Sequence, residues 1–346
     1  MFGFHAKAPA APRDFAVCSG CSLCFLVCPM WRGSHDPRFT PEGLAKALQC
    51  GAKASELAAP LDACSLCGAC DPVCPERIDL SGMVMELRRQ LASTSPPRAA
   101  ATAVLDDLQA RLRQTAKPAG PAQVSLRSDT VFLPGPALRA EPALLARIVA
   151  LLNLPVFDDD GDDIALALEL GADIPQARLQ SFVGSLSGHS IVAADGLLVR
   201  QLRRWLPGSR RMGLGAALCS RAAVRSNLAA TDLYVIEPRA CHADHERMVI
   251  YYNNLQSEIG CMLSLDLQRI AIPASTPGLL HKLGLAVGDD DTQANWILRG
   301  RKPERIVVED LADIAAFRRI SGIPVVHLAE LGGDPNIIRK TARAFS

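Results

Sequence analysis

From residue 130 onward, short runs of β-branched and apolar residues alternate with longer stretches whose apolar residues recur at helical spacing. The short runs are predicted strands: Thr130–Leu133, Val156–Asp158, Ser190–Ala193, Leu233–Ile236, Ile270–Ile272, Ile306–Val308 and Val325–His327. The predicted helices between them include Glu141–Leu152, Leu197–Leu206, Asp244–Gln256 and Leu311–Arg319. Such alternation implies α/β units with parallel strands. The layout occurs twice, and the second copy begins near Thr231.

The first hundred residues follow only the helical period. Thr40-Pro41-Glu42 is a helix start, with a threonine cap and proline in the first turn, so a helix is predicted over Thr40–Leu48. Further helical segments are predicted over Ser55–Leu61 and Leu80–Leu91. Proline-rich ends then enclose one more helix, Ala99–Thr115, and mark a connector. The expectation is an α+β multi-domain chain. Residues 1–17 form an arm, 18–92 a helical domain and 93–122 a linker. Residues 123–230 and 231–346 form the two α/β repeats.

Composition narrows the function classes. The chain has 346 residues, enough for two or three domains, and 49% of them are hydrophobic. Lysine plus arginine number 37 against 36 acidic residues, which argues against a nucleic-acid binder. Met1–Pro12 lacks the apolar core of a secretory signal. No apolar stretch reaches the roughly 18 residues of a membrane span. With 12 cysteines and no export signal, a reducing cytoplasm is the expected location, where thiolates bind metal instead of pairing. Any contact with the inner membrane would be peripheral and made through partners.

Eight of those cysteines form two runs. One is Cys18-Ser-Gly-Cys21-Ser-Leu-Cys24-Phe-Leu-Val-Cys28-Pro29, the other Cys64-Ser-Leu-Cys67-Gly-Ala-Cys70-Asp-Pro-Val-Cys74-Pro75. Each is C-x2-C-x2-C-x3-C-P, the ligand run of two-cluster bacterial ferredoxins. Three cysteines at x2 spacing wrap a loop around one face of a [4Fe–4S] cube. The fourth, before proline, reaches away and usually binds the other cube. The expected sets are Cys18, Cys21, Cys24 with Cys74, and Cys64, Cys67, Cys70 with Cys28. A structural zinc needs only four ligands, often as two C-x2-C pairs, and disulfides need an oxidising compartment. Two cubes fit better than either, and two clusters in one short domain are most simply an electron relay.

The twin runs, the helical insert between them and the duplicated α/β half resemble a known family. It comprises the iron–sulfur subunits of glycolate oxidase, lactate utilisation and anaerobic glycerol-3-phosphate dehydrogenase. The chain also resembles the ferredoxin-like subunit of heterodisulfide reductase fused to that enzyme's cysteine-rich subunit. The resemblance implies an α-helical dicluster ferredoxin followed by two cysteine-rich repeats, the CCG domains, which in some members build a further iron–sulfur centre. Here most of those ligands are missing. Pro136 stands at the first cysteine position, and Asp158-Asp159-Asp160-Gly161 takes the place of the first Cys-Cys-Gly. Ala194-Asp195-Gly196, Pro273-Ala274-Ser275 and Glu309-Asp310 carry no cysteine either. Pro238-Arg239-Ala240-Cys241-His242 echoes a Pro-Cys-His with two residues inserted. The resemblance therefore implies that this half is a degenerate CCG domain.

The remaining candidates rank lower. Cys219, Cys241 and Cys261, with His242, have the ligand count for a third centre, but buried packing is the expected role of such cysteines. Cys50 is expected to pack in the helical insert. The acidic run Asp158–Asp163 lacks the calcium-loop order and is expected to be a solvated loop before a helix. Leu283–Gly288 is no dinucleotide fingerprint. His242 and His245 are expected at the surface or in a cap. Arg203-Arg204 and Arg210-Arg211 make a basic patch, a solvated helix face or a docking surface for an acidic partner.

The leading expectation is a non-catalytic electron-transfer subunit of an oxidoreductase complex. It would relay single electrons from a flavin- or iron–sulfur-bearing partner to a quinone, another redox protein or a membrane-bound acceptor reached through a partner. A heterodisulfide-reductase-like catalytic subunit with its own centre around Cys241 is the second expectation. A structural assembly subunit is the third.

Overall fold

The computed structural model describes residues 13–94, 99–114, 130–275 and 291–333. The start of the arm, the ends of the connector and the Leu283–Gly288 segment lie outside the described residues. Among the described residues no helix is long and apolar enough to cross a membrane.

Among the described residues, seven strands form two parallel sheets. The first contains β1 (Thr130–Leu133), β2 (Ser190–Ala193) and β3 (Arg211–Gly213), in that spatial order. The second contains β4 (Asp232–Val235), β5 (Met262–Leu263), β6 (Arg305–Val308) and β7 (Val325–His327), ordered β5-β4-β6-β7. Val156 forms a parallel bridge to Phe132 on the open side of β1, where β5 stands beside β4 in the other sheet. The two sheets therefore share one strand order.

Side-chain alternation builds three layers from these sheets. Phe132 and Val192 of the first sheet, and Tyr234 and Val307 of the second, point into one shared core between them. Val131, Leu133, Ile191 and Ala193 point the other way, onto Phe182, Leu198 and Leu202. Leu108 and Leu112 of the helix Ala99–Gln114 join this outer core and are wholly buried. The opposite face of the second sheet packs Leu233, Val235, Ile306 and Val308 against Ile297 and Phe317. Strands covered on both faces read as continuous apolar runs, as these do.

Several expectations change. Ile270–Ile272 is not a strand; only Ala271 bridges, antiparallel, to Leu265. The strand beside β4 is instead the two-residue β5, too short to show a period. β3 begins with arginine and ends with glycine, so it carries no strand signature. The acidic run does begin a helix, Asp162–Leu170, and Asp158 is exposed, but Asp160 and Asp163 are buried. Arg178, 1% exposed, donates two bonds each to Asp159 and Asp163 at 2.7–2.8 Å, and Arg139 pairs with Asp160 at 2.6 Å. Cys50 caps the end of helix Pro41–Gln49 and is exposed, not packed.

The cysteine-rich region is fixed to the α/β half by a shared core. Leu44, Leu57, Leu61, Val84 and Leu87 pack together with Leu197, which comes from the first α/β unit. Helix Leu80–Thr94 meets the end of Asp162–Leu170, where Gly171 closes the helix at φ +73°. A side chain at Gly171 would both strain that left-handed turn and overlap the Arg88 backbone. Gly171→Ala is therefore expected to cost at least about 2 kcal/mol. A urea unfolding midpoint equal to that of the parent would refute this close approach.

Candidate metal centres

The two cysteine loops correspond position by position. In the first, Gly20 and Ser22 have left-handed φ of 77° and 61°; in the second, the matching Leu66 and Gly68 have 52° and 75°. Left-handed residues alternating with ordinary ones curl a short loop and turn its N–H groups to the concave side, a setting for an anionic group. Each loop runs into a short helix, Leu23–Val27 and Cys70–Val73, and these two helices pack on each other. Each helix ends at the fourth cysteine, Cys28 or Cys74, in extended conformation. The following proline disfavours helical backbone at that residue. The chain thus leaves its own loop at the fourth thiol.

Each fourth thiol therefore stands beside the three cysteines of the opposite run. One cavity is lined by Cys18, Cys21, Cys24 and Cys74, with Ile78 and Leu80 behind them. A second is lined by Cys28, Cys64, Cys67 and Cys70. The electrostatic neighbours agree: Cys24 interacts with Cys21 and Cys18, and Cys28 with Cys67 and Cys64. Burial pushes the Cys24 and Cys28 thiols up to about 12 and the Cys67 thiol up to about 11. Cys70 is raised too, by burial first and then by Asp71 and the neighbouring cysteines. Crowded, buried thiols of this kind ionise only when a cationic metal group offsets their charge. Among the described residues no three His, Cys, Asp or Glu side chains converge on one ion.

The surroundings of the two cavities differ. The first loop is held from the helix Pro41–Gln49 in the insert. Lys46 Nζ and Gln49 Nε2 donate to the Cys18 carbonyl at 2.7 and 3.1 Å, and the Ser22 N–H donates to Glu42 at 2.6 Å. Cys21 is exposed, so this cavity lies at the surface.

The second loop is held from farther away. Arg88 donates to the Cys64 carbonyl at 2.5 Å, and Arg239 to the Ser65 carbonyl at 2.6 Å. His242 Nε2 accepts the Ala271 N–H at 3.1 Å, which leaves Nδ1 to donate to the Cys67 carbonyl at 2.7 Å. Burial pushes the His242 pKa down to about 4, so the ring is neutral. His242 is thus neither a surface nor a capping residue, and its neighbour in sequence, Cys241, points elsewhere. Arg200 pairs with Asp71 at 2.6 Å and with Asp79, and Arg204 reaches Asp79 at 3.1 Å. Of the predicted basic patch, Arg204 meets the cysteine-rich region, while Arg203 pairs with Asp244 at 3.5 Å. Gln293 also donates to the Pro29 carbonyl at 3.2 Å and accepts from Arg32 at 3.1 Å. None of these long-range partners carries a local motif. Only the position of His242, beside the Cys241 singled out in the sequence, offers a hint.

Cys219, Cys241 and Cys261 are all 2% exposed or less, in the core between the sheets. Burial pushes Cys219 and Cys261 up to about 11, and Cys241 higher still. They behave as small apolar residues.

Residues 14–78 match the family model of the 4Fe-4S dicluster domain. No curated protein and no solved structure matches the chain. The matched segment covers both cysteine runs and the helical insert, and it makes this part of the chain a ferredoxin-like, iron–sulfur electron-transfer unit.

Proposed function

We propose that the chain is the electron-transfer subunit of an oxidoreductase complex and carries two [4Fe–4S] clusters. Cys18, Cys21, Cys24 and Cys74 hold the first, and Cys64, Cys67, Cys70 and Cys28 the second. The observation that carries this reading is the presence of each fourth cysteine in the cavity of the opposite run. When bound, the clusters supply one-electron redox chemistry at potentials set by hydrogen bonding and burial.

The chain's own residues set the direction of access. Exposed Cys21, with Leu23 and Leu26 partly in solvent beside it, gives a partner's cofactor a close approach to the first site. The second site is enclosed by Arg88 and, from the α/β half, by Arg239 and His242. The α/β half, a degenerate CCG-type repeat pair in this reading, holds that second loop in place and offers surface to further subunits. Hydride or two-electron chemistry belongs to a cofactor on a partner, such as a flavin. The acceptor is a quinone or another redox protein. Anaerobic purification with native partners, followed by mass spectrometry, should return a flavin- or cluster-bearing subunit. Oxidation of a 2-hydroxy acid or reduction of a disulfide by the isolated chain at enzymatic rates would overturn this reading.

A catalytic centre around Cys241 predicts extra iron. With Cys241 packed in the inter-sheet core, Cys241→Ala is expected to leave iron and acid-labile sulfide unchanged. A measurable drop would favour the catalytic alternative.

A further inference from the structure

A third cavity, of about 240 Å3, opens where the carboxyl ends of both sheets meet. It is lined by the turns that follow β1, β2, β4 and β6, the position where parallel α/β sheets bind ligands. Pro136, Asp195, Gly196, Pro273, Ser275, Glu309 and Asp310, where the sequence lacks expected cysteines, all face it. Ser65 and Cys67 form one wall and also line the second cysteine cavity.

Its lining is acidic. Among the described residues, Glu169, Asp195, Glu237, Glu309, Asp310 and Asp313 face one cation, Arg239. Most have partners. Glu169 pairs with Arg239 at 2.5 Å. Asp195, Glu237 and Asp310 accept N–H groups at the starts of helices Gly196–Trp205, Pro238–Ala243 and Leu311–Ile320. Glu309 accepts from the Tyr234 and Tyr252 hydroxyls at 2.5 and 2.7 Å and from the Glu237 N–H at 2.8 Å. Asp313 differs. It is 4% exposed; its Oδ1 accepts the Ser275 N–H at 3.0 Å, and its Oδ2 has no hydrogen-bond partner. A buried carboxyl oxygen left unpaired amid other acidic groups is costly, and it marks a place for a group the protein itself does not provide.

We propose that this cavity binds a small organic cation, a molecule with a primary ammonium group, whose ammonium hydrogen-bonds to Asp313 Oδ2. Among the described residues no three potential ligands converge on a metal ion, so a metal does not fit. The volume lies below the roughly 300–1,000 Å3 of larger ligand sites, so the molecule is small. Before binding, burial and then the nearby Asp310, Glu237 and Glu309 raise the Asp313 carboxyl well above the usual carboxylate range, which favours a proton there. Binding exchanges that proton for the ammonium: the carboxylic acid loses its proton to solvent, and an ion pair forms in its place. The inference goes beyond the electron-transfer reading, and only its link to Cys67 rests on that reading. A cation against the Cys67 wall stabilises the added electron on the neighbouring cluster and moves its midpoint potential upward.

The test uses the full chain, purified anaerobically with its clusters, and n-butylammonium as the probe. Titration calorimetry at neutral pH, in two buffers of different ionisation enthalpy, should show saturable binding with close to one proton released per ligand. The uncharged match n-butanol should not bind. Asp313→Asn should weaken binding at least about tenfold. No saturable binding at millimolar concentrations, equal binding of butanol, no released proton, or full affinity in Asp313→Asn would each overturn the proposal. The proton count uses the unaltered protein, so the test stands even if the variant fails to fold. In an EPR redox titration the potential of one cluster should rise with the probe. An unmoved potential overturns the siting beside Cys67, whereas missing cluster signals with intact calorimetry would count against the two-cluster reading instead.

Discussion

Cys28→Ser is expected to abolish the cluster of the second cysteine run while leaving that of the first. Cys28 sits at the end of its short helix, 7% exposed, with Cys64 and Cys67 among its neighbours. The other three cysteines of its own run line a different cavity. Serine offers a hard oxygen in place of a soft thiolate, a poor ligand for an iron–sulfur cube. Iron should fall from about eight atoms per chain to about four. The reduced EPR spectrum should lose one of two signals. Cys74→Ser should give the mirror result, removing the cluster of the first run. If Cys28→Ser removed the cluster of Cys18, Cys21 and Cys24 instead, ligation within each run would be established and the exchange rejected.

The departure of each fourth cysteine from its own loop is legible in the sequence, because C-x2-C-x2-C-x3-C-P is a local pattern and its proline acts on the residue just before it. The Thr40 cap is equally local: its hydroxyl accepts the Gly43 N–H at 3.0 Å, as the Thr-Pro-Glu start implies. The strands β1, β2 and β7 follow from short apolar runs. What stays hidden depends on partners distant in sequence. The acidic run looks solvated because Arg178 lies 15 residues beyond Asp163 and has no periodic relation to it. His242 looks superficial because its partner, the Cys67 carbonyl, is 175 residues away. The cavity between the sheets is traceable only as a set of missing cysteines, scattered over the turns that the two sheets bring together.

The same distance-dependence makes Arg88→Met the more destructive change for the fold. Arg88 is 2% exposed, yet its guanidinium donates to backbone carbonyls rather than to a carboxylate. Two of these, Leu61 and Cys64, lie at the end of helix Ala58–Ala63, and the third, Glu169, at the end of Asp162–Leu170. Helix ends carry partial negative charge and unpaired carbonyls, so one planar cation satisfies two helix termini and ties the ferredoxin-like region to the α/β half. Methionine fills similar space and leaves these buried carbonyls without that donor. Hydrogen bonds to a charged group contribute about 1.5–3 kcal/mol each, so a loss of about 3 kcal/mol or more is expected. Because Cys64 follows one of those carbonyl-bearing turns, the cluster of the second run should be lost first on urea titration, with that of the first run outlasting it. Arg88→Lys should recover only part of the stability, since one ammonium cannot span the fork between the two helix ends. Anaerobic unfolding followed by visible absorbance and EPR reads both effects. An Arg88→Met protein that unfolds at the parent's midpoint with both clusters intact would show that the two halves are joined without this residue, and the enclosure of the second site would then rest on Arg239 and His242 alone.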